Sequence, residues 1–71
     1  MNPKFPVLSS KEVVRLLREH GFEEDRQKGS HVVFYHPHNG RRAVVPLGKK
    51  NIPIGTLRSI LKEAKIDFEY Q

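Results

Sequence analysis

Between Ser9 and Phe22 the chain reads SSKEVVRLLREHGF, and Val13, Leu16, Leu17 and the stem of His20 recur at the spacing of one helix face. Ser9 stands three residues before Glu12, the arrangement in which each side chain caps the other's backbone. Gly21 supplies the left-handed residue that ends a helix, and Phe22 can fold back onto the last turn. Lys11, Arg15, Arg18 and Glu19 then face water. Residues 22–27 read as a weak strand, because Glu, Asp and Gln suit a pleated sheet poorly. Lys28-Gly29-Ser30 is a turn, and residues 31–36, led by Val, Val, Phe and Tyr, form a strand. Both faces of that strand are partly apolar, so alternation leaves open which one points inward. Asn39-Gly40 predicts a tight hairpin turn with both residues at positive φ. Residues 41–47 form the returning strand, and Pro46 marks its end or an edge. A second helix begins near Pro53, since proline suits a first turn. Ile54, Leu57, Ile60, Leu61 and Ala64 are its apolar stripe. Gly55 costs that first turn about 1 kcal/mol relative to alanine, so its use is either close packing or close approach of a ligand. The end, DFEYQ, is acidic and aromatic and either packs back or frays.

The predicted order is α-β-β-β-α, an α+β fold with a three-stranded antiparallel meander. Both helix stripes are satisfied if both helices lie on one face of the sheet. The other face is then open, and basic charge can collect on it or at its rim. There are no repeats, no low-complexity segments and no internal linker, so residues 1–71 read as a single domain.

Length and composition narrow the function. A chain of 71 residues buries about 60% of the surface its unfolded form exposes, which leaves no room for a domain that holds a large cofactor. No cysteine means no disulfide and no thiolate chemistry. The N-terminus lacks an apolar run long enough for a signal peptide and no stretch approaches a membrane span, so a soluble cytoplasmic protein is expected. Charge adds more. Residues 26–62 carry eight Lys and Arg and no acid, while the remainder sums to −3. A positive middle with counterweighted ends suits a polyanion, although a merely solubilising surface would look the same.

Three of the four histidines fall between Arg26 and Arg42. His36-Pro37-His38 lacks a third ligand, with no cysteine and no nearby acid, so no metal is expected there. Both read as hairpin residues, and His20 as a helix-end detail. His31, in KGSH, is either an exposed turn residue without a task or a proton-transfer group.

The ordered segments LSSKEVVRLLREHGF, RQKGSHVVFYHP, GRRAVVP and IPIGTLRSILKEAKI cover nearly the whole chain. In that order and spacing the chain resembles the HicA family of toxins from bacterial and archaeal toxin–antitoxin pairs. The resemblance implies a fold like a double-stranded-RNA-binding domain, an RNA-cleaving toxic activity, and neutralisation by a HicB-type antitoxin protein. The family's active histidine lies in GSH and maps onto His31. The segment LGKKNIP carries no histidine where relatives often have one.

RNA cleavage needs no metal and no cofactor, because the 2′-hydroxyl can attack the neighbouring phosphorus. A histidine, with its ordinary pKa of about 6.5, suits proton transfer as general base or general acid. Cations suit the developing negative charge. His31 is the expected catalytic group, with Lys28, Ser30 and the backbone of Gly29 supporting the phosphate. Ser30 is equally read as a turn former. Arg26, Arg41, Arg42, Lys49 and Lys50 are expected contacts to the mRNA backbone, which give affinity without sequence choice. Tyr35 and Phe34 are alternatives for base stacking, whichever faces out. The rival expectations are a module of the same fold that binds RNA without cutting it, and a protein–protein adaptor.

Overall fold

The computed structural model describes residues 7–67; of the terminal DFEYQ, expected to pack back or fray, all but Asp67 lie outside them. The elements run α1 (Ser10–Glu19), β1 (Glu23–Lys28), β2 (His31–Tyr35), β3 (Arg42–Pro46) and α2 (Ile54–Ala64). This is the expected α-β-β-β-α order, with an antiparallel sheet of order β1-β2-β3.

Helix α1 starts and stops by local chemistry. The Glu12 N–H donates to Ser9 Oγ at 3.2 Å, and the Ser9 N–H donates to Glu12 Oε1 at 2.8 Å. At the other end Gly21 adopts φ +89°. Its N–H donates to the Arg18 carbonyl, and the Phe22 N–H donates to the Leu17 carbonyl at 2.9 Å. Phe22 is buried against the core, as its place after the glycine predicts.

Helix α2 ends in the same way, but with Lys65 in the left-handed position at φ 57° and Ile66 as the buried residue after it. Its start differs from the expected one. Pro53 is the N-cap, so the helix begins one residue later, at Ile54. Ile54 does not join the core stripe and is 53% exposed. It sits on the first helical position. Ile52 takes the core place instead, with its N–H donating to the Leu8 carbonyl at 2.8 Å. Gly55 is exposed, and a Cβ there would meet nothing within 4 Å, so close packing is not its reason.

In the sheet, Val32 and Phe34 of β2 and Ala43 and Val45 of β3 are buried. They pack with Val13 and Leu17 of α1 and Leu57, Ile60, Leu61 and Ala64 of α2. Both helices therefore cover one face, and the question of which way β2 faces is answered by its even-numbered residues. β1 is exposed at all six residues, and it forms a strand because it completes a backbone ladder with β2 rather than because its side chains favour one.

The second hairpin is not the two-residue turn that Asn39-Gly40 suggests. Residues 37–40 form a four-residue loop between His36 and Arg41, closed by the His36 N–H donating to the Arg41 carbonyl at 2.8 Å. Only Gly40 has positive φ, +73°. Asn39 contributes through its side chain: Oδ1 accepts the Arg41 N–H at 2.9 Å. His36, half-buried, packs edge-on against Phe22 with ring centroids 5.1 Å apart. No described helix is long and apolar enough to cross a membrane.

The two helix ends make opposite predictions. In Gly21→Ala a side chain would be forced to positive φ, with its Cβ 2.8 Å from His36 Nε2. Stability should fall by about 1–3 kcal/mol. Lys65→Gly relieves the same conformation and should raise stability by about 0.5–1 kcal/mol net of the glycine's entropy. Urea denaturation midpoints measure both.

Candidate functional site

Gly29 and Ser30 are the two residues between β1 and β2. Gly29 has φ +61° and Ser30 does not have positive φ, the signature of a type II′ turn with glycine first. This turn matches the right-handed twist of the strands, so it holds Lys28 and His31 directly opposite each other. In a register of this kind their Cα atoms lie about 5.5 Å apart with both side chains on one face. The Ser30 carbonyl accepts the Leu47 N–H at 2.7 Å, which pins the turn to the end of β3. Gln27 Nε2 donates to the Gly29 carbonyl at 3.3 Å.

That face is the open one. Cross-strand partners share a face, so His31, Val33 and Tyr35 stand with Pro46, Val44 and Arg42 on the side away from the helices. β1 joins them through an irregularity. Asp25 has no partner on β2, because the register steps from Glu24 opposite Phe34 to Arg26 opposite Val33. After this bulge the facing of β1 is reversed. Arg26 and Lys28 therefore point to the open face rather than toward the helices.

The expected phosphate contacts divide into two groups. Lys28, Gly29, Ser30 and His31 lie at one end of the sheet with the loop that carries Lys49 and Lys50. Lys49 follows Leu47 by two residues, at most about 7 Å of chain. The loop is held by Ser10, a buried polar side chain. Ser10 Oγ donates to the Pro46 carbonyl at 2.6 Å and accepts the Lys49 N–H at 2.9 Å, while the Ser10 N–H donates to the Lys49 carbonyl at 2.9 Å. Lys11, Lys49 and Lys50 line a shallow concavity there with Ser9, Ser10 and Gly48.

Arg41 and Arg42 lie at the far end of β3. Four residues separate Arg42 from Pro46, about 13 Å along a strand. Both arginines already have partners. Arg42 Nη1 is 2.9 Å from Asp25 Oδ2, and Arg41 Nη1 donates to the Glu63 carbonyl in the last turn of α2 at 3.3 Å. Arg26 lies between the two groups, its Nε 3.7 Å from the same Asp25 carboxylate. The acid-free stretch of sequence is thus served by an acid from just before it.

Of the two aromatic alternatives, Phe34 is 1% exposed, under the Arg18 guanidinium at 5.5 Å, and Tyr35 is the one on the open face. Lys11 was not among the expected contacts. A doubled serine at the start of a helix is its only sequence signal: one serine caps and the other ties down the lysine loop. His36 Nδ1 accepts N–H groups from His38 and Asn39 at 3.2 and 3.3 Å, and His20 Nδ1 is 2.9 Å from the Leu16 carbonyl. Both histidines therefore serve the backbone. Among the described residues no three His, Asp or Glu side chains gather as a metal site.

A family model described as HicA toxin of bacterial toxin–antitoxin matches residues 10–66, most of the chain and all five elements. No curated protein matches the chain.

The Ser10 clamp makes a direct prediction. Ser10→Ala leaves the Pro46 carbonyl and the Lys49 N–H without their partner and should cost about 1–3 kcal/mol. Denaturant titration reads the loss. Hydrogen exchange should show faster opening of residues 47–51 than of β2.

Proposed function

The chain belongs to the HicA toxin family of bacterial toxin–antitoxin systems, and from that premise we propose that it is an endoribonuclease that cleaves mRNA through His31. Family membership implies an antitoxin partner, and we take that partner to be of the HicB type. The observation that carries the reading is the placement of His31. It is exposed on the open sheet face, directly opposite Lys28, behind a rigid two-residue turn.

The reaction uses the substrate's own nucleophile. The 2′-oxygen bonds to phosphorus, the bond from phosphorus to the 5′-oxygen breaks, and a 2′,3′-cyclic phosphate and a 5′-hydroxyl result. One proton leaves the 2′-hydroxyl and one reaches the departing oxygen. The imidazole of His31 serves one of these transfers. The ammonium of Lys28, across the hairpin, faces the charge that builds on the phosphate oxygens. Ser30 Oγ, which has no partner among the described residues, supplies a further donor. Lys49 and Lys50 hold the flanking phosphates. No step calls for a metal or a cofactor.

A module of the same fold that grips RNA without cutting it would share the fold and the charge, and His31 separates the two readings. His31→Ala should keep its melting temperature, bind RNA, and lose both RNA cleavage and growth arrest on expression. A variant that still degrades RNA and stays toxic would sink the assignment. Cleavage by the unaltered chain should persist in EDTA, and its loss there would overturn the metal-free route.

The division of the basic residues predicts a salt effect. Lys49→Ala with Lys50→Ala should lower the slope of log affinity against log salt by about one to two. Arg41→Ala with Arg42→Ala should change it less, because those guanidiniums are already engaged. Equal slopes for the two pairs would place the RNA along the whole of β3.

A further inference from the structure

On the premise of the ribonuclease reading, we infer that the substrate is single-stranded RNA laid along β2 across the open face, and that Tyr35 positions it by stacking one of its bases. His31 and Tyr35 occupy the two ends of β2 and the same face, four residues apart. That separation is about 13 Å. A stacked nucleic-acid strand advances about 3.4 Å per nucleotide, so the stacked base lies within about four nucleotides of the scissile bond.

The surface between the two residues suits an unpaired strand. Val33 lies midway, with Arg26 opposite it on β1 and Val44, 44% exposed, opposite it on β3. The floor is apolar, and Lys28 lines the β1 side as a cation for the backbone, with Arg26 beside it paired to Asp25. Tyr35 stands opposite Glu23 on β1 and Arg42 on β3, and the Arg42 guanidinium pairs with Asp25 at 2.9 Å. Tyr35 is half-buried, and among the described residues its ring and hydroxyl have no ring contact or hydrogen bond. In a duplex each base already stacks on its neighbours and offers no face to a tyrosine standing on a flat sheet. A single strand does, and base–aromatic stacking is largely indifferent to base identity. Tyr35 is a positioning residue in this arrangement and takes no part in proton transfer.

The test pairs cleavage with a stacking probe. Cleavable single strands and the same sequences as duplexes report turnover. Non-cleavable 2′-O-methyl strands with 2-aminopurine at successive positions report stacking by fluorescence quenching. The unaltered chain should prefer the single strand and should quench the probe at one position within four nucleotides of the cleavage point. Tyr35→Phe should keep both properties. Tyr35→Leu, with its melting temperature checked, should lose the quench and raise KM by about tenfold with kcat unchanged. His31→Ala should keep the quench and lose cleavage. An unchanged KM and quench in Tyr35→Leu, or a preference for duplex, overturns the inference. If no RNA quenches the probe and the face takes up only a protein partner, the inference is likewise overturned. A quench that depends on Tyr35 without any cleavage by the unaltered chain would support the stacking assignment and remove the ribonuclease reading instead.

Discussion

Asp25 has no partner on β2, and that one unpaired residue sets the direction of everything after it in β1. Side chains along a strand alternate between faces, so a single inserted residue exchanges the two sets. Without it, Arg26 and Lys28 would point toward the helices, against a face that holds Val32 and Phe34. With it, both cations stand beside His31. The inserted residue is itself an acid, and its carboxylate takes Arg42 from across the sheet and Arg26 from its own strand. The irregularity thus places two cations beside His31 and a local counter-charge at the far end.

The second constraint is economy of cover. Two helices of 10 and 11 residues can bury one face of a three-stranded sheet and no more. The buried face is uniformly apolar on β2 and β3. The open face holds charged, aromatic and small apolar residues together, at no cost in desolvation. Ser10 connects the two sides of this arrangement. It belongs to the first turn of α1, yet its hydrogen bonds go to Pro46 and Lys49, so the packing of a core helix also fixes the basic loop near His31.

Much of this was legible in the sequence where the cause is local. The capping of α1 by Ser9 and Glu12, its end at Gly21, and the turn at Gly29-Ser30 depend on residues within a few positions of one another. The features that sequence reading missed depend on partners far along the chain. Nothing in EEDRQK marks the bulge, because a strand polar at every position has no alternation to break. The choice between Phe34 and Tyr35 belongs to the helices that cover one side. Ile54 has the right spacing for the core and lies outside it because the helix starts later than Pro53 suggests. Arg41 and Arg42 look like free cations until the hairpin brings Glu63 and Asp25 to them. For the candidate site, the turn within KGSH was readable, whereas the place of Lys11 beside Lys49 and Lys50 required the Ser10 clamp.

The two outer strands of the sheet also bear on how copies of the chain meet one another. An outer strand with free backbone groups can template a second chain, and flat apolar edges polymerise. Here one edge is β1, with charges of both signs along its length, and it is bent by its bulge. The other is β3, which ends in Pro46, a residue with no N–H to donate. Neither edge invites sheet-to-sheet growth. These edges make the backbone a poor match for another copy of the chain.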